Sequence, residues 1–187
     1  VMVSNAHTAL LSKVPDLLTI IVPRHPGRAL KIETELARRG HHCVRRSTGE
    51  KITTDTAIYI ADTLGELGLF YRLCRIAFIG GSMARHGGHN PLEAAQLGCA
   101  IVQGPDMGNF QGVADALLAD GGAVTVQDAK DLATVVGQMF EDRDLWLERA
   151  EAAEMVAKGN SDVIDRVCDV IRPIVTAALR NEIDADA

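Results

Sequence analysis

A glycine-rich segment at residues 80–98, GGSMARHGGHNPLEAAQLG, has the residue types of an anion-binding loop. Its two glycine pairs allow positive φ angles and a close approach of backbone N–H groups to a ligand. Asn90 is a favoured N-cap residue, Pro91 suits the first position of a helix, and Glu93 stands where a capping box places its carboxylate. The free N–H groups and the positive dipole end of that helix would attract a phosphate. The segment therefore predicts a phosphate-binding loop, and the alternative is a flexible connection between two elements.

Two shorter segments upstream carry residue types that suit the same kind of ligand. In the first, the prolines of PRHP at residues 23–26 fix the backbone on either side of Arg24, whose guanidinium suits forked recognition of a phosphate or carboxylate. The alternative there is a stiff turn with a solvated arginine. In the second, Thr63 and Glu66 have the spacing of a capping box, but capping does not explain Gly65 between them. A glycine at that place would let a ligand approach the backbone.

The glycine-rich segment also contains His86 and His89, which raises the question of a metal site. Two imidazoles without a third ligand fall short of the three or four protein ligands that zinc requires. We therefore expect no metal, and we assign both histidines to ligand hydrogen bonding or loop packing. Other known motifs are missing, since no GxGxxG opens the first strand-helix turn and neither GxxxxGKS/T nor GxSxG occurs. Ser82 thus lacks a base partner, and we expect a structural role for it.

Composition limits the class of protein. The chain has 187 residues, of which 47% are apolar and 24% charged, as expected of one globular domain. Its formal net charge of -6 argues against a nucleic-acid surface, which would need a basic stripe. No stretch approaches the roughly 20 apolar residues of a membrane span, and the four cysteines lie far apart without CxxC spacing. We therefore expect a soluble domain with reduced core thiols.

Short apolar runs alternate with amphipathic segments along the chain, which predicts an α/β fold. The expected strands are residues 17–23, 41–46, 57–62, 76–80, 100–104 and 123–126. The expected helices are residues 4–14, 27–39, 66–73, 91–98, 109–118 and 128–142, and two closing helices within 143–175 that are broken near Gly159 and Asn160. Right-handed crossovers favour a doubly wound, Rossmann-like parallel sheet with helices on both faces. We expect strand 17–23 to be buried on both faces, strand 76–80 to be central and strand 41–46 to lie at an edge.

The three candidate ligand-binding segments, residues 23–26, 63–66 and 80–98, are named the first, second and third chemical segments in chain order. Each of them directly follows a predicted strand. In an open parallel sheet, ligands bind in the crevice outside the carboxyl ends of the strands. We therefore expect the three segments to meet at one rim of the sheet and to line a single binding crevice.

Four sequence segments occur in an order that resembles one family of glycosyltransferases. They are PRHPGR, ADTLGELGLFYRL, AFIGGSMARHGGHNPLEAAQLG and GPDMGNF, and the resemblance covers about residues 5 to 140. Together they are similar to the C-terminal domain of the 3-deoxy-D-manno-octulosonic acid (Kdo) transferases, bacterial enzymes of the GT-B architecture. The resemblance implies an inverting transfer of Kdo from CMP-Kdo to the lipid A precursor in lipopolysaccharide biosynthesis. It also implies a location at the cytoplasmic face of the bacterial inner membrane, and no cofactor beyond the CMP-Kdo donor.

The same resemblance assigns residues to a nucleotide-sugar-binding site. The matching positions, in chain order, are Pro23, Arg24, Leu64, Gly65, Glu66, Asn90 and Glu93, and the glycine-rich loop adds Gly87 and Gly88. Of the matching positions, the first two would contact the phosphate region of CMP, the next three the nucleotide, and the last two the phosphate and ribose. Leu64 stands where the family pattern has methionine, a change of similar volume that should preserve backbone contacts.

GT-B enzymes carry the acceptor site and the catalytic carboxylate on an N-terminal domain, and the resemblance implies that residues 1–187 do not include it. We expect residues 1–187 to be a single Rossmann-like nucleotide-sugar-binding domain without catalytic residues, which binds nucleotide weakly and transfers nothing alone. The full-length protein would reach the membrane and the lipid A precursor through the missing N-terminal domain. Two alternatives remain open: another GT-B sugar-nucleotide enzyme, such as a UDP-sugar transferase or epimerase, and a noncatalytic Rossmann-like ligand-binding module.

Overall fold

The structure, a computed structural model, describes the backbone of residues 1–185 and all side chains in this range except those of residues 160–167, 174 and 177–185. The strands are β1 (Thr19–Ile21), β2 (Cys43–Arg45), β3 (Ile58–Ile60), β4 (Ile76–Phe78), β5 (Ala100–Gln103) and β6 (Ala123–Thr125). The helices are α1 (Met2–Leu10), α2 (Ala29–Ala37), α3 (Leu67–Leu73), α4 (Leu92–Gln96), α5 (Gln111–Ala119), α6 (Ala129–Glu141) and α7 (Arg143–Ala185). Each predicted strand is therefore present, in a shorter form.

The strands pair in parallel throughout the part of the chain that the structure describes, in the orders β1-β3-β2 and β4-β5-β6. Ile20 lies opposite Tyr59 in the first sheet, and Val102 lies opposite Val124 in the second. The predicted α/β class with parallel strands is confirmed. The pairing is divided between two three-stranded sheets rather than running through one sheet of six, and β1 and β4 are not hydrogen-bonded to each other.

Burial identifies β3 and β5 as the central strands, since every residue of both is buried. β2 lies at an edge, as predicted. Two expectations were wrong: β1 is only partly buried, and β4 lies at an end of its sheet rather than at the centre. A continuous apolar run indicates a strand, but it does not reveal how many neighbours that strand has.

Helices cover both faces of each sheet, as the Rossmann-like prediction requires. In the second sheet, Ile101 faces a core formed with α4, α5 and α7, whereas Val102 faces a core formed with α1 and α6. In the first sheet, Ile58 packs with α2, and Tyr59 packs with Phe70 of α3. Because consecutive residues of a strand point to opposite faces, each central strand contributes to two cores.

The C-terminal region is one helix rather than two. α7 continues through Gly159 and Asn160, where a break was predicted. A single glycine costs only about 1 kcal/mol in a helix interior, and the preceding residues of α7 anchor it, because Ala153 and Ala157 are fully buried against the second sheet. Among the described residues, no helix combines the length and the hydropathy needed to cross a membrane.

Two histidines hold the N-terminal helix against the first sheet. His7 is 1% exposed, and its Nδ1 lies 2.8 Å from the hydroxyl of Thr19 at the start of β1. His41 Nε2 lies 2.7 Å from the hydroxyl of Ser4, and the two imidazole rings meet edge to face with centroids 5.3 Å apart. Burial and the neighbouring His41 lower the pKa of His7. The environment of His7 therefore favours the neutral imidazole where α1 meets the first sheet.

Candidate functional site

The candidate site lies where the strands of both sheets end. The loops after β1 and β3 leave the carboxyl end of the first sheet, and the loops after β4 and β5 leave that of the second. Burial lowers the pKa of His89, and the charges of Arg24 and of His86 lower it further. Arg24 and His89 are thus neighbours, although they follow different sheets. The structure brings the first and third chemical segments together, as predicted from their positions after the carboxyl ends of parallel strands.

Ser82 fastens the glycine-rich loop to the end of β5. Its buried hydroxyl donates to the carbonyl of Ile79 at 2.6 Å and accepts from the N–H of Gly104 at 2.7 Å. The carbonyl of Ser82 accepts from the N–H of Asp106 at 2.9 Å. The structural role predicted for this serine is confirmed.

The second glycine pair has the predicted positive φ angles, but packing within the protein, rather than a ligand, explains why both residues are glycine. Gly87 and Gly88 have φ angles of +72° and +66°. A Cβ on Gly87 would lie 2.6 Å from the side chain of Asn109, and a Cβ on Gly88 would collide with the sulfur of Met107. The missing side chains therefore face the loop after β5 rather than a ligand.

The backbone N–H groups of this glycine pair are also already bonded within the protein. The N–H of Gly87 donates to the Asp106 carboxylate at 2.9 Å, and that of Gly88 to the carbonyl of Gly81 at 3.4 Å. The N–H of His89 donates to the carbonyl of Gly80 at 3.0 Å. A close approach of this backbone to a ligand was expected, whereas in the structure these donors hold the loop closed. The assignment of Gly87 and Gly88 to the ligand site stays a prediction.

Asp106 and Asn109 shape the site and were missed as individual residues. The backbone N–H of Gly87 lowers the pKa of the Asp106 carboxyl against the opposing effect of burial, and the N–H groups of Gly108 and His86 lower it further. Asn109 donates from its side chain to the carbonyl of His86 at 2.9 Å, and from its backbone N–H to the carbonyl of Gly87. Asp and Asn near glycines are typical of hydrogen-bonded turns, so the sequence GPDMGNF could have indicated the role of these two residues.

α4 begins almost as predicted. The side-chain oxygen of Asn90 accepts from the N–H of Leu92 at 3.0 Å, so Asn90 caps the first turn. The capping box does not form, because Glu93 makes no side-chain bond to the start of the helix. Glu93 is exposed, and its carboxylate has no hydrogen-bond or ion-pair partner among the residues that the structure describes. It is thus free to meet a ligand.

The loop after β3 is held by side chains and leaves its tip open. Glu66 is the N-cap residue of α3 and makes no capping bond with its side chain, so the predicted capping box is wrong. Its carboxylate accepts from the hydroxyl of Thr63 and from the guanidinium of Arg46 instead. Gly65 has a φ of +83° with no atom within 4 Å of a Cβ position, and Leu64 is 80% exposed.

The nine assigned residues differ in accessibility. Arg24, Leu64, Gly65, Asn90 and Glu93 are exposed, whereas Pro23, Glu66 and Gly87 are partly buried and Gly88 is buried. The accessible ones lie on all three loops, so an extended ligand could contact each loop. Within the described residues, no group of three or more His, Cys, Asp or Glu side chains is arranged to hold a metal ion.

No protein-family model matches the chain. Among curated proteins, it is 33% identical to a 3-deoxy-D-manno-octulosonic acid transferase of Haemophilus influenzae over 170 residues, which are 90% of this chain and 40% of that protein. It is 36% identical to a probable mitochondrial 3-deoxy-D-manno-octulosonic acid transferase of Arabidopsis thaliana over 169 residues, 89% of this chain and 37% of that protein. The chain thus spans about two fifths of the length of these relatives.

Two solved structures share the fold. The C-terminal CMP-Kdo binding domain of WaaA from Acinetobacter baumannii superimposes with a TM-score of 0.76 at 31% identity, over 82% of this chain and 80% of that domain. The C-terminal domain of the group 1 glycosyl transferase LpcC from Francisella tularensis superimposes with a TM-score of 0.64 over 84% of this chain and 76% of that one, at 18% identity, which supports the fold alone. The fold and the sequence agree, and the chain therefore belongs to the Kdo transferase family, in which it matches the C-terminal domain.

Proposed function

We propose that this chain binds CMP-Kdo and forms the donor-binding part of a Kdo transferase. The observation that carries the proposal is its likeness, over 80% of the matched chain, to a domain described as CMP-Kdo binding. The order of the four sequence segments and the meeting of their loops at one rim support the same function.

Side-chain cations are the proposed binders of the phosphate. The N–H groups of residues 87–89 are engaged within the loop, so they do not provide the donors. Arg24 is exposed and lies beside His89, where a guanidinium fork can bind a phosphate or a carboxylate through two hydrogen bonds. Pro23 sets the direction in which Arg24 leaves β1.

The remaining assigned residues are proposed to bind the nucleoside. Glu93 has a free carboxylate at the start of α4, which suits the hydroxyl groups of a ribose, and Asn90 holds that turn in place. Leu64 and Gly65 offer exposed backbone at the open tip of the loop after β3, and Glu66 orients that tip. Gly87 and Gly88 contribute by allowing the loop to close against Asn109 and Met107.

The transfer reaction itself is proposed for a protein of the length of the relatives. Such a protein would transfer Kdo with inversion to the lipid A precursor at the cytoplasmic face of the inner membrane. The acceptor site and the catalytic base would then lie in the part of the relatives that this chain does not cover. The 187-residue protein would bind the donor weakly and would not turn it over, and the proposal requires neither a metal nor a further cofactor.

Calorimetric titration of the 187-residue protein with CMP, UDP and ADP tests the donor assignment. CMP is expected to bind most tightly. Equal or tighter binding of UDP would contradict the CMP assignment and favour a UDP-sugar enzyme. Binding of none of the three nucleotides would favour a noncatalytic module instead.

A further inference from the structure

Two carboxylates after β3 tie that loop to the turn after β2. Asp62 is 8% exposed and accepts from both the N–H and the hydroxyl of Ser47, at 2.8 and 2.6 Å. Glu66 accepts from Arg46, with Nε 3.0 Å from one carboxylate oxygen and Nη2 2.6 Å from the other. The two attachments stand on either side of Leu64 and Gly65, so the exposed tip of the loop is fixed at both ends.

The carboxylate of Glu66 is occupied on both oxygens. One oxygen receives the Nη2 of Arg46, and the other receives both the Nε of Arg46 and the hydroxyl of Thr63. The fork geometry of an arginine allows this two-point contact, and a lysine could make only one of the two bonds. Arg46 thus fixes the direction of the Glu66 side chain and compensates its charge.

An uncompensated carboxylate at this place would act against an anionic ligand. The side chain of Glu66 is 28% exposed and stands beside the open tip at Gly65. Two negative charges that approach within a few ångströms repel one another, and the repulsion strengthens as water is displaced by the ligand. A guanidinium paired with the carboxylate removes this repulsion without removing the residue.

We propose that Arg46 is a positioning residue of the nucleotide site, which holds the carboxylate of Glu66 and cancels its charge so that the loop after β3 can accept an anionic ligand. The inference rests on the proposed function, because the anion is taken to be a cytidine nucleotide. Arg46 itself acts through Glu66 and is not expected to touch the ligand.

The experiment measures the dissociation constant of CMP by calorimetry for the wild-type protein and for four variants. They are Arg46→Ala, Arg46→Lys, the double variant Arg46→Ala/Glu66→Gln, and the control Arg39→Ala. Arg39 makes a comparable two-point contact with Glu35, from Nε and Nη2 at 3.1 and 3.0 Å, but it lies just beyond the C-terminal end of α2, away from the strand ends that form the site. Circular dichroism checks whether each variant is folded.

We expect Arg46→Ala to weaken CMP binding by about tenfold, because an unpaired carboxylate remains at the site. Glu66→Gln in the same protein should recover part of the lost affinity, since it removes the charge that Arg46 had compensated. Arg46→Lys should lie between wild type and Arg46→Ala, and Arg39→Ala should bind as wild type does. A purely structural role for Arg46 would not be rescued by the second substitution.

The outcomes separate this inference from the proposed function. If the wild-type protein binds CMP and Arg46→Ala binds it equally well, the inference is overturned and the proposed function stands. If the double variant binds as weakly as Arg46→Ala, compensation of charge is not the role of Arg46 and the inference is again overturned. If Arg46→Ala does not fold, the CMP affinity of Arg46→Lys is the test instead. Wild-type affinity in the folded Arg46→Lys variant would contradict a role for the two-point contact between Arg46 and Glu66. Absence of CMP binding by the wild-type protein overturns the proposed function first.

Discussion

Arg24 and His89 are neighbours at the rim, and the charge of the guanidinium contributes to the lowered pKa of the imidazole. Arg24 follows β1 of the first sheet, and His89 precedes α4 beyond the second. The charge of Arg24 therefore reaches from the rim of the first sheet to the rim of the second. The neutral state of His89 leaves Arg24 as the stronger attraction for an anion at neutral pH.

Arg24→Ala should weaken CMP binding by about tenfold or more, because charge-assisted hydrogen bonds to a phosphate are lost. Isothermal titration calorimetry measures the effect. Arg38→Ala is the matched control, since Arg38 is an exposed arginine at the other end of α2. Equal affinities for wild type and Arg24→Ala would remove Arg24 from the site.

Glu93→Gln should weaken CMP binding with little change in the thermal unfolding midpoint. The carboxylate of Glu93 makes no capping bond, so removing its charge costs the helix only the small interaction with its dipole. A ribose hydroxyl, in contrast, would lose its charged acceptor. Calorimetry and a thermal melt on the same protein separate the two effects. A lower midpoint with unchanged affinity would mean that Glu93 serves the helix instead.

Gly88→Ala should destabilise the fold by roughly 2 to 4 kcal/mol, as measured by urea unfolding, because it combines left-handed backbone strain with overpacking. The alanine Cβ would collide with Met107 at a φ of +66°. Gly65→Ala is the control with similar strain, at +83°, but with open space around it, and it should cost only about 1 kcal/mol. Equal losses for both variants would contradict the packing role of Gly88.

Folding stability should fall as the pH drops below about 6.5, the ordinary pKa of histidine in the unfolded chain. Burial lowers the pKa of His7 in the folded protein, so the unfolded chain binds more protons in this range. The loss should approach about 1.4 kcal/mol per pH unit for this one group, continuing until the pH reaches the lowered pKa. Urea unfolding between pH 8 and pH 5 measures it.

His7→Gln should reduce this pH dependence, to which the lowered pKa values of His41 and His89 also contribute. His42→Gln, at an exposed position, is the control. The His7→Gln protein should also be less stable at pH 8, because the contact between His7 and Thr19 is lost. If the stability of the wild-type protein rises as the pH falls from 8 to 5, the account of α1 is wrong.

Local sequence patterns predicted the strands, the helices and the edge of the sheet at which the loops lie. Contacts between segments that are distant in the sequence became visible only in the structure. Alternating apolar runs located every strand, and each chemical segment does follow a strand end. The pairing of Arg46 with Glu66 depends on the order β1-β3-β2, which places the ends of β2 and β3 side by side.

The packing of the glycine pair shows the same limit. Glycine-rich sequence indicated positive φ at Gly87 and Gly88 correctly. It did not reveal that Asp106 and Asn109 would bind the backbone there, because the pairing of β5 with β4 is what places those residues beside the loop. A loop with free N–H groups for a phosphate and a closed loop packed on its neighbour need glycine at the same positions. The sequence therefore does not distinguish between them.

A structure of the protein with CMP bound would show whether the three loops form one nucleotide site. We expect the phosphate to lie within hydrogen-bonding distance of the Arg24 guanidinium, the ribose to lie against Glu93, and the open tip at Gly65 to contact the nucleotide. CMP bound away from these three residues, or no CMP bound at saturating concentration, would contradict this assignment.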